Sequence, residues 1–210
     1  MRKLGAMKRL GAMKAGALAK CAVPIALMLL LQGCVSLGGD KAPPTLFRLS
    51  ATQAPAAGSS LSGKASDAIV VLDPDTDRSI AVTRIMVQVD DSNIAYLTKA
   101  QWVERPSHMF AALMAETVRA GGKHLVFTAD EAVTVLGSRL GGRLMAFGYD
   151  AREQSAVVRY DAVLTAPGGV VSTKRFEAKI PGVAATPESV GPALNRAANQ
   201  VAAQVSDWLG

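Results

Sequence analysis

The chain has 210 residues, half of them hydrophobic, a formal net charge of +6 and two cysteines. The apolar half excludes wholesale disorder, and the length suits one or two domains. The positive charge is local: Arg2, Lys3, Lys8, Arg9, Lys14 and Lys20 precede the first acidic residue, Asp40, and residues past 33 hold 17 basic and 17 acidic side chains. A balanced body excludes a general basic surface for nucleic acid.

Residues 1–33 read as an export leader. A positive segment over 1–20 is followed by ten apolar residues, 22–31, AVPIALMLLL. Ten residues suit the apolar region of a signal peptide and fall short of the ~20 a spanning helix needs. The repeated LGAMK at Leu4–Lys8 and Leu10–Lys14 buries nothing and is no structural repeat. Directly after the apolar run stands Leu31-Gln32-Gly33-Cys34. An aliphatic residue, a small residue and then cysteine resemble a bacterial lipobox. Cleavage is expected between Gly33 and Cys34, with Cys34 acylated through its nucleophilic thiol. Cys21 leaves with the leader, so Cys34 is the sole cysteine of the 177-residue remainder and no internal disulfide can form. Several acyl chains on one residue anchor firmly. Val35, in place of aspartate, points by the usual sorting rule to the outer membrane, facing the periplasm.

Residues 34–44 read as a lipidated tether whose extended reach is ~35 Å. A single domain is expected over 45–210, with a flexible, low-complexity loop at 51–66. A short strand is expected at Thr45–Leu49, an apolar run at Ile69–Leu72, and a hairpin from Ile85–Val89 through Asp91-Ser92-Asn93 to Ile94–Leu97. Pro106–Ala120 predicts a helix, with proline at its start, Gly121-Gly122 at its end, and Phe110, Leu113, Met114, Thr117 and Val118 as an apolar stripe. Leu125–Phe127 and Ala132–Leu136 are further short strands. Arg143–Tyr149, Val157–Thr165 and Val170–Ile180 alternate, with Met145, Phe147 and Tyr149 expected on one face of the first. Short turns at Asp150–Ser155 and Ala166–Gly169 make them an antiparallel meander. A closing helix is expected from about Gly191, because Pro192 disfavours an earlier start at Thr186-Pro187. The whole predicts an α+β fold: a two-layer sandwich of a mostly antiparallel sheet with two main helices on one face.

Chemistry is sparse. Gly58–Ala65 approaches a phosphate loop but has Ala65 where a hydroxyl must hold magnesium. Asp73-Pro-Asp75-Thr-Asp77 places Arg78 and Arg84 where a calcium loop needs glycine and glutamate. His108 and His124 have no zinc-site spacing, and there is no GxSxG serine motif. No catalytic residue, no metal site and no cofactor is expected. Tyr96 and Trp102 are read as packing at a strand–helix junction or as anchors of a partner interface.

The order of motifs is itself informative. The lipobox leads to Phe47-Arg48-Leu49, an apolar strand runs into Asp77-Arg78, a strand-turn-Tyr unit spans Ile85–Tyr96, and Trp102-Val103-Glu104 precedes a helix. This series resembles the ABC-type transport auxiliary lipoprotein family. The chain departs from it in having Pro74-Asp75-Thr76 where a proline-tyrosine-leucine run is usual. The resemblance implies a non-enzymatic auxiliary or tethering component of an MCE-type ABC lipid transport system. Its implied partners are a periplasmic MCE-domain protein, the ABC permease, the membrane through acylated Cys34, and further copies of itself in a homo-oligomer. The alternative is a structural or assembly lipoprotein for a surface organelle or outer-membrane complex.

Overall fold

The computed structural model describes residues 45–132 and 136–210. The leader, the Gly33–Cys34 junction and the tether lie outside these residues, as does most of the strand expected over Ala132–Leu136.

In chain order the elements are β1 (Thr45–Phe47), β2 (Ile69–Val71), β3 (Asp75–Thr76), β4 (Arg84–Gln88), β5 (Ile94–Trp102), α1 (Pro106–Ala120), β6 (Val126–Thr128), β7 (Ser138–Asp150), β8 (Ser155–Thr165), β9 (Val171–Ile180) and α2 (Pro187–Leu209). The described strands form one mixed sheet. Its long pairings are antiparallel: β7 with β8, and β8 with β9, the expected meander. β4 and β5 form the expected hairpin. The other edge of β7 is shared by three short strands, all parallel to it. β2 pairs near its start (Val70 beside Arg139), β3 at its middle (Asp75 beside Arg143) and β4 at its end (Val87 beside Tyr149). Outside them, β6 runs parallel to β2, and β1 parallel to β5.

Both helices cover one face of this sheet. The ring of Phe110 in α1 meets Phe147 of β7 at 6.4 Å and Tyr160 of β8 at 5.3 Å, edge to face. Trp208 in α2 packs on Phe176 of β9 at 5.7 Å. Leu140, Leu144, Val158 and Ala178 complete the sheet side of the core. The stripe expected on α1 is buried throughout, so the two-layer α+β arrangement follows from one apolar face meeting two apolar stripes.

Two local expectations are corrected. Met145 does not share a face with Phe147 and Tyr149. Between Leu144 and Ala146 the register with β8 shifts, so two steps along β7 answer one step along β8. This bulge turns Met145, 39% exposed, to the bare side, while Leu144 keeps its place in the core. The second correction is the start of α2, which lies at Pro187 with Pro192 inside the helix. Proline is well placed at the first position, and Val190 N–H still reaches Thr186 O at 2.9 Å. Packing outweighs the hydrogen bond lost at Pro192. Val190 is fully buried, and Gly191 lies so close to Phe47 that a Cβ there would come within 2.4 Å of its ring.

The loop 51–66 contains turns and ends in one 3₁₀ turn, Ala65–Asp67. Its base is fixed from α2. Asn199 Oδ1 accepts from Thr52 N–H at 2.7 Å and from Thr52 Oγ1 at 3.0 Å, while its Nδ2 donates to Ser50 O at 2.9 Å. Asn195 Oδ1 accepts from Ser50 N–H at 2.8 Å. These contacts pin the segment after β1 along the helix.

Candidate interaction surface

The face opposite the helices is bare, and the strands arrange charge on it by alternation. Across β8 and β9, Arg159 pairs with Glu177, and Arg175 binds Asp161 through two hydrogen bonds of 2.6 Å each. Lys179 reaches Glu153 in the turn before β8. The hydrogen bonds from Arg175 hold the Asp161 carboxyl below its ordinary value, although partial burial pulls the other way. Such half-exposed pairs order side chains and contribute little stability.

Two hollows interrupt this ladder. One, of about 410 Å³, lies where β4, β7 and β8 meet and has Met86 and Met145 on its floor among Asp150, Arg152 and Arg159. The loop from Asp77 to Thr83 closes its side, with Asp77 Oδ1 accepting from Ser79 N–H at 2.9 Å. The second, about 430 Å³ and shallower, lies over the first half of β7 around Gly141.

Tyr96 and Trp102 are brought to opposite faces of β5. Six residues apart, they would share a face in a regular strand. A large irregularity separates them: β4 steps only from Arg84 to Met86 while β5 steps from Gln101 to Tyr96, and Lys99 takes the left-handed conformation at φ 58°. Tyr96 stands beside Met86 on the bare side, half-buried, with the Arg84 guanidinium 3.8 Å above its ring. Trp102 belongs to the core. It is 2% exposed and packs against Phe147 at 5.4 Å and Phe47 at 6.3 Å. Its side chain is enclosed by the core, whereas that of Tyr96 is half-buried on the open side.

The remaining chemistry-bearing residues disperse. Asp73 faces His108 Nδ1 at 3.2 Å, and Glu104 lies 3.5 Å from the other ring nitrogen, at an exposed helix start. Asp75 is in β3, and Asp77 holds its own turn. Among the described residues no three histidine, cysteine, aspartate or glutamate side chains converge as metal ligands. Two buried phenols are structural: Tyr149 donates to Val183 O at 2.8 Å and Tyr160 donates to Gly141 O. Burial pushes the Tyr160 phenol well up. Sequence reasoning missed the Asn199 clamp and the hollow at Gly141. The signals were an asparagine within an apolar helix stripe and two adjacent glycines inside a strand pattern.

A helix-covered core behind a charged, solvated sheet face makes this an α+β domain with one open side. The model of the ABC-type transport auxiliary lipoprotein component family matches residues 47–206, nearly all of the described fold, and the chain belongs to that family. No curated protein matches it. Two crystal structures share the fold. A DUF330 protein from Xanthomonas campestris superposes with a TM-score of 0.65 at 18% identity, covering 78% of this chain and 93% of its own. An uncharacterized protein superposes with a TM-score of 0.63 at 9% identity, covering 80% of this chain and all of its own.

Proposed function

We propose that the chain is a non-enzymatic lipoprotein held in the outer membrane by acylated Cys34, its domain facing the periplasm. There it tethers or receives the periplasmic MCE-domain partner of an ABC lipid-transport system. The observation that carries this reading is the family match across 47–206. The Leu31–Cys34 junction and Val35 support the anchor and its membrane. The pinned segment after β1 supports a tether confined to 34–44, because strain applied at Thr45 passes directly to α2 through Ser50 and Thr52.

The test is fractionation and co-purification of the epitope-tagged full chain from a native envelope. The parent is expected with the outer membrane and with MCE-domain and permease subunits. Cys34→Ala is expected to lose outer-membrane anchoring. Parent-like membrane partition of this variant after leader removal would overturn the anchor. Co-purification with an organelle-assembly or barrel-assembly component, and no MCE protein, would overturn the transport reading in favour of an assembly lipoprotein.

A further inference from the structure

The bare face changes character along β7. Beyond the ladder, the cross-strand rows become Gly141–Val163–Thr173 and then Arg139–Thr165–Val171. Here lies the shallow trough, with Gly141, Val163 and Leu72 beneath it and Arg139 and Arg143 on either side of the glycine. Gly142 is glycine by necessity: its φ is +126°, and a Cβ would fall 2.0 Å from Asp161 O. Gly141 is different. A Cβ there would meet Leu72 Cδ1 at 3.5 Å, an ordinary contact. A Cβ at Gly141 meets no clash, yet the space is left open.

The charges around this space are unequal. Neither Arg139 nor Arg143 forms an ion pair among the described residues. Asp161 lines the trough but is engaged twice by Arg175, and Asp75 stands beside Arg143 in register. No carboxylate lines the trough in the row of Arg139. At the same end of the sheet three aliphatic side chains stand in water: Leu136 at 84% exposure, Val170 at 67% and Val171 at 56%. An apolar strip flanked by guanidinium groups complements an amphiphile with an anionic head.

We infer that this trough binds a phospholipid, its phosphate taken by Arg139 and Arg143 and an acyl chain laid over Gly141 and Val163. Two arginines four residues apart on one strand face stand ~13 Å apart at their Cα atoms, so their long side chains can converge on one phosphate. The inference deepens the transport reading by putting lipid on this subunit itself, and it rests on that reading for its biological setting.

The experiment uses the full-length acylated protein in phosphatidylcholine vesicles containing phosphatidylglycerol with a photoreactive acyl chain. Crosslinked peptides are located by mass spectrometry. Wild type is expected to crosslink at β7 and β8 around Gly141 and Val163. Gly141→Leu, which fills the space, and the double variant Arg139→Glu/Arg143→Glu are each expected to lower the yield about tenfold, with unchanged thermal midpoints. Unlabelled phosphatidylglycerol should compete, and neither inorganic phosphate nor diacylglycerol should. Undiminished crosslinking in the charge-reversed protein overturns the inference, as does equal competition by inorganic phosphate (a free-anion site) or by diacylglycerol (an apolar surface only). Co-purification with the MCE-domain protein is scored separately, so failure of the transport reading leaves the crosslinking result standing.

Discussion

Asn199 and Thr52 are 147 positions apart in sequence, and the amide of one accepts from both the backbone N–H and the hydroxyl of the other. Asn199 is buried in α2. The same side chain donates to Ser50 O, so one residue satisfies a carbonyl and an N–H of the segment after β1.

Removing it leaves those backbone groups unpartnered. Asn199→Ala is expected to lower unfolding free energy by about 1–3 kcal/mol in urea denaturation. Asn195→Ala, which breaks one exposed contact to Ser50, should cost under about 1 kcal/mol. Equal costs would show that the buried amide is not the clamp.

Trp102 permits a sharper comparison. Its indole N–H is buried and finds no hydrogen-bond partner among the described residues. Trp102→Ala removes a core ring and is expected to cost about 3–5 kcal/mol. Trp102→Phe keeps most of the aromatic packing and removes an unsatisfied donor, so it should cost markedly less. The check is urea denaturation of both variants. A Phe variant as unstable as the Ala variant would place a hydrogen bond at Nε1.

Stability should fall in acid for a definable reason. Hydrogen bonds lower the carboxyls of Asp161, from Arg175, and Glu131, from the backbone of Thr128 first and Arg119 after it. A group whose folded pKa is depressed stabilises the fold above its unfolded value and loses that contribution as pH falls through the folded value. Urea midpoints should therefore be flat above about pH 5 and decline below about pH 4. Arg175→Gln should make the decline shallower, and an unchanged slope would remove Asp161 from the account.

How legible this was in the sequence depended on what each signal encodes. The α1 boundaries were readable because Pro106 and Gly121-Gly122 act locally. So was the β7–β8–β9 meander, through alternation and short turns. The face of Met145 was not, since alternation assumes regular register and a bulge is settled by the partner strand. The start of α2 was misread because Pro192 argues locally, whereas Val190 and the Gly191–Phe47 contact argue through tertiary packing. The parallel seating of β2, β3 and β4 had no local mark, because apolar alternation names a face and not a neighbour. The same limit hid the trough: Arg139, Leu72 and Val163 are remote in sequence and meet only across three strands.

The shared edge of β7 also dictates an order of events. β2, β3 and β4 all precede β7 in the chain; β3 pairs with β7 alone among the described strands, and β2 and β4 gain their second neighbour from it. A chain that emerges from its amino end holds Ile69–Val71 and Ile85–Met86, buried in the finished fold, with one sheet edge each unpaired until β7 is free. Only the β4–β5 hairpin and α1 can form early from nearby residues. The β7–β8 turn is therefore a late gate. Before it passes, the inner edges of β2 and β4 stay open beside apolar side chains, a state prone to association.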